Sequence, residues 1–109
     1  MSSLGSDPVV SLAQLQVAQA GRDLEAAAAT HDDLRLDQAL RRLVPTLAQV
    51  QAPLATAGSP AAARVRASVD ALRGAAQEAL REPPGERRAT LVGRIVSTAR
   101  TIGQTGPHE

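Results

Sequence analysis

A row of aliphatic residues in the middle of the chain constrains the fold more than any other feature. Its members are separated alternately by four and three positions: Leu36, Leu40, Leu43, Leu47, Val50 and Leu54. This spacing aligns them along one face of an α-helix, as in a coiled coil. Pro45 lies within the row and cannot donate a backbone hydrogen bond to Arg41, so we expect the helix to kink there, and we expect Pro53 to disturb its last turn.

Helix start and stop signals divide the rest of the chain into three further segments of similar length. Asp7-Pro8 and Ser59-Pro60 each combine a side chain that can cap a helix with proline at the first helical position. Asp32-Asp33 can cap the segment that carries the aliphatic row, and Pro83-Pro84 separates the last two segments. We expect Gly103 to end the final helix.

Each of these three segments carries its own apolar stripe at helical spacing. The stripes consist of Val10, Ala13, Val17, Ala20, Leu24 and Ala27 in the first segment; Ala62, Val65, Val69, Leu72, Ala76 and Ala79 in the third; and Leu91, Ile95 and Ile102, widened by Val92, Val96 and Ala99, in the fourth. Amphipathic segments joined by short connections pack antiparallel. The sequence therefore predicts an all-α, up-down-up-down four-helix bundle, with a three-helix bundle and an irregular remainder as the alternative.

The length of 109 residues is typical of one domain. We expect a single helical bundle over 8–103, with 1–7 and 104–109 flexible at either end. The chain does not open with a basic segment followed by an apolar run, and no apolar stretch is long enough to span a membrane. A cytoplasmic protein is the resulting expectation.

The apolar residues are small. Hydrophobic residues make up 43% of the chain, but none is aromatic and close to half are alanine. A fully buried branched aliphatic side chain contributes roughly 1.5–3 kcal/mol, and alanine contributes much less. We therefore expect modest stability for an isolated monomer, or stabilisation by self-association.

The residue types that most enzymes and metal sites need are scarce. The chain has no cysteine and two histidines, and it contains none of the motifs that frame a nucleophile, a phosphate loop or a dinucleotide site. His31, Asp32, Asp33 and Asp37 could in principle bind a metal, but the first acids fit the capping positions of a helix better. The sequence therefore predicts no catalytic residue, no metal and no cofactor.

The charge pattern does not indicate nucleic-acid binding. The formal net charge is +1, and no aromatic side chain is present on which a base could stack. All the basic side chains other than histidine are arginine, and those at Arg41, Arg42, Arg87 and Arg88 are candidates for an anion-binding cluster. Surface ion pairs are the simpler interpretation for most arginines.

Three pairings at helical spacing carry that simpler interpretation: Asp37 with Arg41, Arg66 with Asp70, and Arg22 with Glu25. Arg88 differs from the others because it falls on the same helix face as Ile95 and Ile102. It should either extend its charged group towards solvent at the end of the bundle or face a pocket.

Apolar residues beside the main stripes are candidate partner-binding residues. Leu12 and Leu15 lie to one side of the first stripe, and Val92 and Val96 extend the fourth. Such residues either widen a stripe that contacts two neighbouring helices or form a docking surface.

The leading hypothesis is a non-catalytic protein-protein interaction module, such as an adaptor, regulatory or accessory subunit, in a homo-oligomer or hetero-complex. The alternative is a small helical ligand-binding protein or enzyme with an arginine-lined anion pocket. A third possibility is a chain that folds fully only on its partner.

Overall fold

Four helices form the protein, and the computed structural model describes residues 8–104. They are α1 (Pro8–Ala29), α2 (Asp33–Ala57), α3 (Pro60–Arg81) and α4 (Glu86–Gln104), with no strand between residues 8 and 104. Each helix packs against the next along the chain, and α1 packs against α4 to close the ring. The up-down-up-down four-helix bundle is confirmed, and the three-helix alternative is wrong because all four segments are helical.

The helix ends are stabilised by the capping residues that the sequence indicated. The Asp32 carboxylate accepts hydrogen bonds from the backbone N–H groups of Leu34 and Arg35, at 3.0 and 3.3 Å. The Ser59 hydroxyl accepts one from the N–H of Ala62 at 3.0 Å. Each bond satisfies a donor that has no partner within its helix. The predicted cap at Asp7, the predicted flexible segment 1–7 and residues 105–109 of the predicted flexible tail 104–109 lie outside the described residues. Gln104, the first residue of that tail, belongs to α4.

Helix α2 is continuous through both of its prolines. It extends from Asp33 to Ala57 and ends at Gly58, whose φ of 75° is the left-handed conformation common after a helix. The hydroxyl of Thr46, next to Pro45, donates to the carbonyl of Arg42 at 2.9 Å. The chain therefore does not break at Pro45, and Pro53 does not end the helix early.

The aliphatic row of α2 forms the centre of the core. Five of its six members are at most 3% exposed, and Leu36, near the end of the bundle, is half-buried. The stripe of α4 is rotated relative to the prediction. Val92 is buried and Leu91 is only half-buried, because α4 turns its Val92, Ile95, Ala99 and Ile102 edge towards the core.

Helices α1 and α4 approach each other through residues without large side chains. A Cβ atom added at Gly21 would lie 2.7 Å from the Cβ of Ala99, and one added at Gly103 would lie 2.6 Å from the Cβ of Ala18. The prediction that Gly103 ends α4 is therefore wrong: the helix continues to Gln104, and Gly103 is a packing residue. Beside this contact, the buried Gln14 donates from Nε2 to the carbonyl of Ile102 at 3.2 Å.

None of the four helices between residues 8 and 104 is long and apolar enough to cross a membrane.

Glycine-to-alanine substitutions should have opposite effects at the two kinds of site. At Gly74 and Gly93, an added Cβ meets no atom within 4 Å, so the higher helix propensity of alanine should raise the free energy of unfolding by about 0.5–1 kcal/mol. At Gly21 and Gly103 the added methyl group overlaps a Cβ fixed to the neighbouring backbone, and overpacking typically costs about 1–3 kcal/mol.

Urea denaturation of the four single variants measures this difference. If Gly21→Ala stabilises the protein as much as Gly74→Ala does, the close approach of α1 and α4 is not required for the fold.

Candidate functional site

A groove runs along the outside of the bundle between α1 and α2, with a volume of about 1120 Å³. The core residues Leu24, Leu43 and Val50 and the small residues Ala20 and Ala39 contribute to its lining. Its polar lining residues are mainly glutamine and threonine, with three charged side chains. The groove therefore presents a shallow apolar surface bordered by polar groups.

Two of the candidate partner-binding residues line this groove. Leu12 is 55% exposed and Leu15 is 61% exposed, and both project from α1. Leu34, which sequence reasoning missed, is 65% exposed at the start of α2 and lies outside the groove lining. It lies in the first turn of α2, two residues before the predicted row begins at Leu36. Exposed leucines on a small domain are typical of docking surfaces when they are grouped, as Leu12 and Leu15 are.

The other two candidates are not part of the same surface. Val96 is half-buried and lines a second cleft of about 440 Å³, formed by α1, α4 and the beginning of α2. Val92 is 3% exposed and belongs to the core, so it is not available to a partner in the folded chain. Its prediction as a surface residue is corrected: the stripe of α4 is wide because that helix contacts both α1 and α3.

The candidate anion cluster is only partly assembled. Arg88 extends from α4 to α2, where its Nη2 donates to Oδ1 of Asp37 at 2.6 Å. Arg41 donates from Nε to Oδ2 of the same carboxylate, also at 2.6 Å. The predicted pair of Asp37 with Arg41 is thus confirmed. The point on which these two arginines converge is occupied by an acid of the chain itself.

The remaining two arginines point elsewhere. Arg42 is exposed and lines the groove between α1 and α2, and Arg87 is exposed next to Arg88 at the beginning of α4. The sequence left open whether the candidates Arg41, Arg42, Arg87 and Arg88 converge in space; the four do not share one point, because successive residues on a helix point about 100° apart. In each doublet, Arg41-Arg42 and Arg87-Arg88, the two side chains therefore leave the helix in different directions.

Arg88 is buried to an extent that is unusual for a charged residue. Its side chain is 4% exposed, while that of Asp37 is 27% exposed. Its Nε is buried and has no hydrogen-bond partner among the described residues. Because a buried charge is costly unless it is paired, Asp37 is the group that makes the position of Arg88 tolerable.

Two other predicted pairings are replaced by contacts between helices. Glu25 accepts from Arg100 at 3.0 Å, linking α1 to α4, rather than from Arg22. Asp70 accepts from Gln51, which in turn accepts from Arg73 at 2.8 Å, linking α3 to α2. No group of acids and histidines that could hold a metal is present in the part of the chain that the structure describes, where Asp32 serves as a cap.

Removing either partner of the buried ion pair should have unequal effects. Asp37→Ala leaves the Arg88 charge buried without a partner and should lower the free energy of unfolding by about 3 kcal/mol. Arg88→Met should cost much less, because the partly exposed Asp37 keeps Arg41. The free energy of unfolding of the double variant Asp37→Leu/Arg88→Met should lie within about 1 kcal/mol of the wild-type value.

Glu25→Ala is the matched control, because it removes an exposed ion pair worth about 0–1 kcal/mol. If Asp37→Ala costs no more than Glu25→Ala, the burial of Arg88 does not depend on Asp37.

The contacts of Asp37 with Arg41 and Arg88 should also make the free energy of unfolding depend on pH in the acid range. Hydrogen bonds from Arg41 and, secondly, from Arg88 hold the pKa of the Asp37 carboxyl below its usual range. The unfolded chain binds this proton near pH 3.9, so the stabilisation is complete above that value and is lost as pH falls through the lower pKa of the folded state. Denaturation curves from neutral pH to about pH 2 should show a shallower loss of stability for Asp37→Asn. An unchanged pH slope would contradict this.

No protein-family model matches the chain, and no curated protein or solved structure matches it. Function must therefore be inferred from the chain's own surfaces. In the Arg88–Asp37–Arg41 cluster both arginines already bind a carboxylate of the chain, whereas the groove between α1 and α2 is open.

Proposed function

We propose that this chain is a non-catalytic protein-protein interaction module that docks a partner in the groove between α1 and α2. It would act in the cytoplasm as an adaptor, regulatory or accessory subunit. The observation that carries the proposal is the pair of exposed leucines, Leu12 and Leu15, beside a groove whose floor is apolar.

The shape of the groove suits a helical partner. Both of its walls are helices of more than 20 residues, and at 1.5 Å per residue they offer a track about 33 Å long. Ala20 and Ala39 line it, and small residues allow another helix to approach closely. An amphipathic helix with apolar residues at positions i, i+3, i+4 and i+7 would place them over this floor.

The leucines supply the main favourable contribution to docking. Each is more than half exposed in the free chain, so covering both would contribute about 1–2 kcal/mol per residue. An exposed ion pair at the edge of the groove contributes about 0–1 kcal/mol. Affinity should therefore depend on Leu12 and Leu15, and the charged residues should determine orientation and partner choice.

The geometry gives less support to the alternative of an arginine-lined anion pocket. A free anion at the convergence of Arg41 and Arg88 would have to displace the Asp37 carboxylate, which both arginines already bind at 2.6 Å. Arg42 and Arg87 do not contribute to the same point. A ligand would therefore exchange one carboxylate contact for another at little gain.

Photo-crosslinking in the native host tests the proposal. A photoreactive side chain at Leu15 should form adducts with protein, whereas one at Ala71, which is exposed on α3 away from the groove, should not. Leu12→Asp, added to the chain with the Leu15 probe, should reduce the adducts at least tenfold, because a charge at the apolar contact must lose its water on docking.

Ala67→Asp is the matched control for the added charge, since Ala67 is an exposed residue of α3. Equal adduct formation from Leu15 and Ala71, or adducts that are insensitive to Leu12→Asp, would contradict a docking function for the groove.

A further inference from the structure

The groove between α1 and α2 is asymmetric along its length. The turn between the two helices marks one end, which we call the turn end; Ala29 and Asp33 lie there. Asp23 is six residues before Ala29, or about 9 Å from the turn end at 1.5 Å per residue. Arg42 is nine residues after Asp33, or about 14 Å from the turn end. The charged half of the groove is therefore the half nearest the turn, where Arg35 also lies.

The apolar half lies further from the turn. Leu12 is 17 residues before Ala29, and Val50 is 17 residues after Asp33, so the two lie at the same height in the groove, about 26 Å from the turn end. Leu15 is nearby, and Pro53 lines the groove further from the turn. Exposed leucines on α1 therefore project beside an apolar floor that belongs mainly to α2.

The charges are also divided between the two helices. The charged groove residue on α1 is Asp23, and those on α2 are Arg35 and Arg42. Neither Asp23 nor Arg42 takes part in an ion pair within residues 8–104. One wall of the groove is thus acidic and the other is basic at nearly the same height.

A two-fold axis parallel to the helices would match the groove with a second copy both along its length and in the division of charge between α1 and α2. It places α1 of one copy against α2 of the other and keeps every residue at its own height. Leu12 and Leu15 then enter the second copy's groove at the height of its Val50. Asp23 lies opposite the second copy's Arg42 and Arg35, and each contact occurs twice.

A two-fold axis perpendicular to the helices does not offer these contacts. It inverts height, so the leucine end of one copy would cover the charged end of the other. Asp23 would then lie opposite apolar residues and would lose water without gaining a cation. The pattern of charge and apolar surface therefore favours the parallel arrangement.

The face is large enough for a stable dimer. Two helices about 33 Å long and 8–10 Å apart present a face of about 650 Å², allowing for their outer side chains. Standard interfaces bury about 800 Å² on each partner, so this face approaches that size before the depth of the groove is counted.

We infer that the occupant of the groove is a second copy of this chain, related by a two-fold axis parallel to the helices, with Asp23 of each copy facing Arg42 of the other. The inference rests on the proposed docking function of the groove and specifies its partner. It also accounts for how a core without aromatic residues gains further apolar burial.

Reversing the charges tests this arrangement. Asp23→Arg alone places arginine against arginine at both contacts, and Arg42→Asp alone places aspartate against aspartate, so each should raise the dimer dissociation constant about tenfold or more at low salt. Mixing the two variants restores an opposite pair at both contacts. Sedimentation equilibrium should therefore show a heterodimer close to wild-type affinity. An equal mixture that remains as weak as its components would overturn the pairing of α1 with α2.

Cysteine crosslinking gives a second measurement that does not depend on charge. The chain has no cysteine, so Gln16→Cys and Thr46→Cys each introduce a single thiol. Both positions lie 13 residues from the turn end, at one height. A mixture of the two proteins should form the mixed disulfide under mild oxidation. Gln16→Cys mixed with Ala67→Cys, on α3, should not. Equal crosslinking in both mixtures would overturn the arrangement.

The wild-type chain separates this inference from the proposed function. If it remains a monomer up to about millimolar concentration, self-association is wrong. Adducts with a different protein from the Leu15 probe would then still support the groove as a docking site. A dimer that is insensitive to Asp23→Arg and to Leu15→Asp would overturn the inference, because its interface would lie elsewhere.

Discussion

Without aromatic side chains, the helices of this bundle can fill a shared interior only by lying close together. Close packing is what makes an interior built from leucine, valine, isoleucine and alanine favourable, because a gap leaves the surrounding atoms without contacts. The approach of α1 to α4 through Gly21 and Gly103 is the clearest expression of this constraint. The position of α4, and with it Val92 and Arg88, depends on that contact.

The bundle is not equally compact in every direction. Helix α1 contacts α3 across one diagonal, whereas α2 and α4 do not approach each other in the same way within residues 8–104. Arg88 extends across this longer diagonal to reach Asp37. A long side chain with a charged group thus connects α4 to α2 at this end of the bundle. Pairing with a carboxylate is the condition for that placement, and it also disfavours any arrangement of the helices that separates the two groups.

The same small core explains why the surface between α1 and α2 is notable. Leu12 and Leu15 are apolar side chains that the monomer does not bury, although its interior is poor in large residues. Turning them inward would require α1 to rotate, and that rotation would move Gly21 away from Ala99. The contact with α4 therefore determines which face of α1 remains outside. The exposure of Leu12 and Leu15 on the groove side follows from the packing on the opposite side of the same helix.

Local sequence patterns determined where the helices lie and most of what they bury. The caps at Asp32 and Ser59 and the row from Leu40 to Leu54 were predictable, because capping and helical periodicity act over a few residues. Leu12 and Leu15 could be identified as apolar residues outside the main stripe for the same reason.

Only the tertiary structure decided the rotation of each helix and the partners of each charge. Periodicity defines an apolar face to within about one residue in either direction, so Leu91 and Val92 were equally acceptable until α1 and α3 packed against α4. The contact of Arg88 with Asp37 joins residues 51 positions apart, and that of Glu25 with Arg100 joins residues 75 positions apart. No local spacing encodes such pairs, because they form only when helix packing brings the two side chains together.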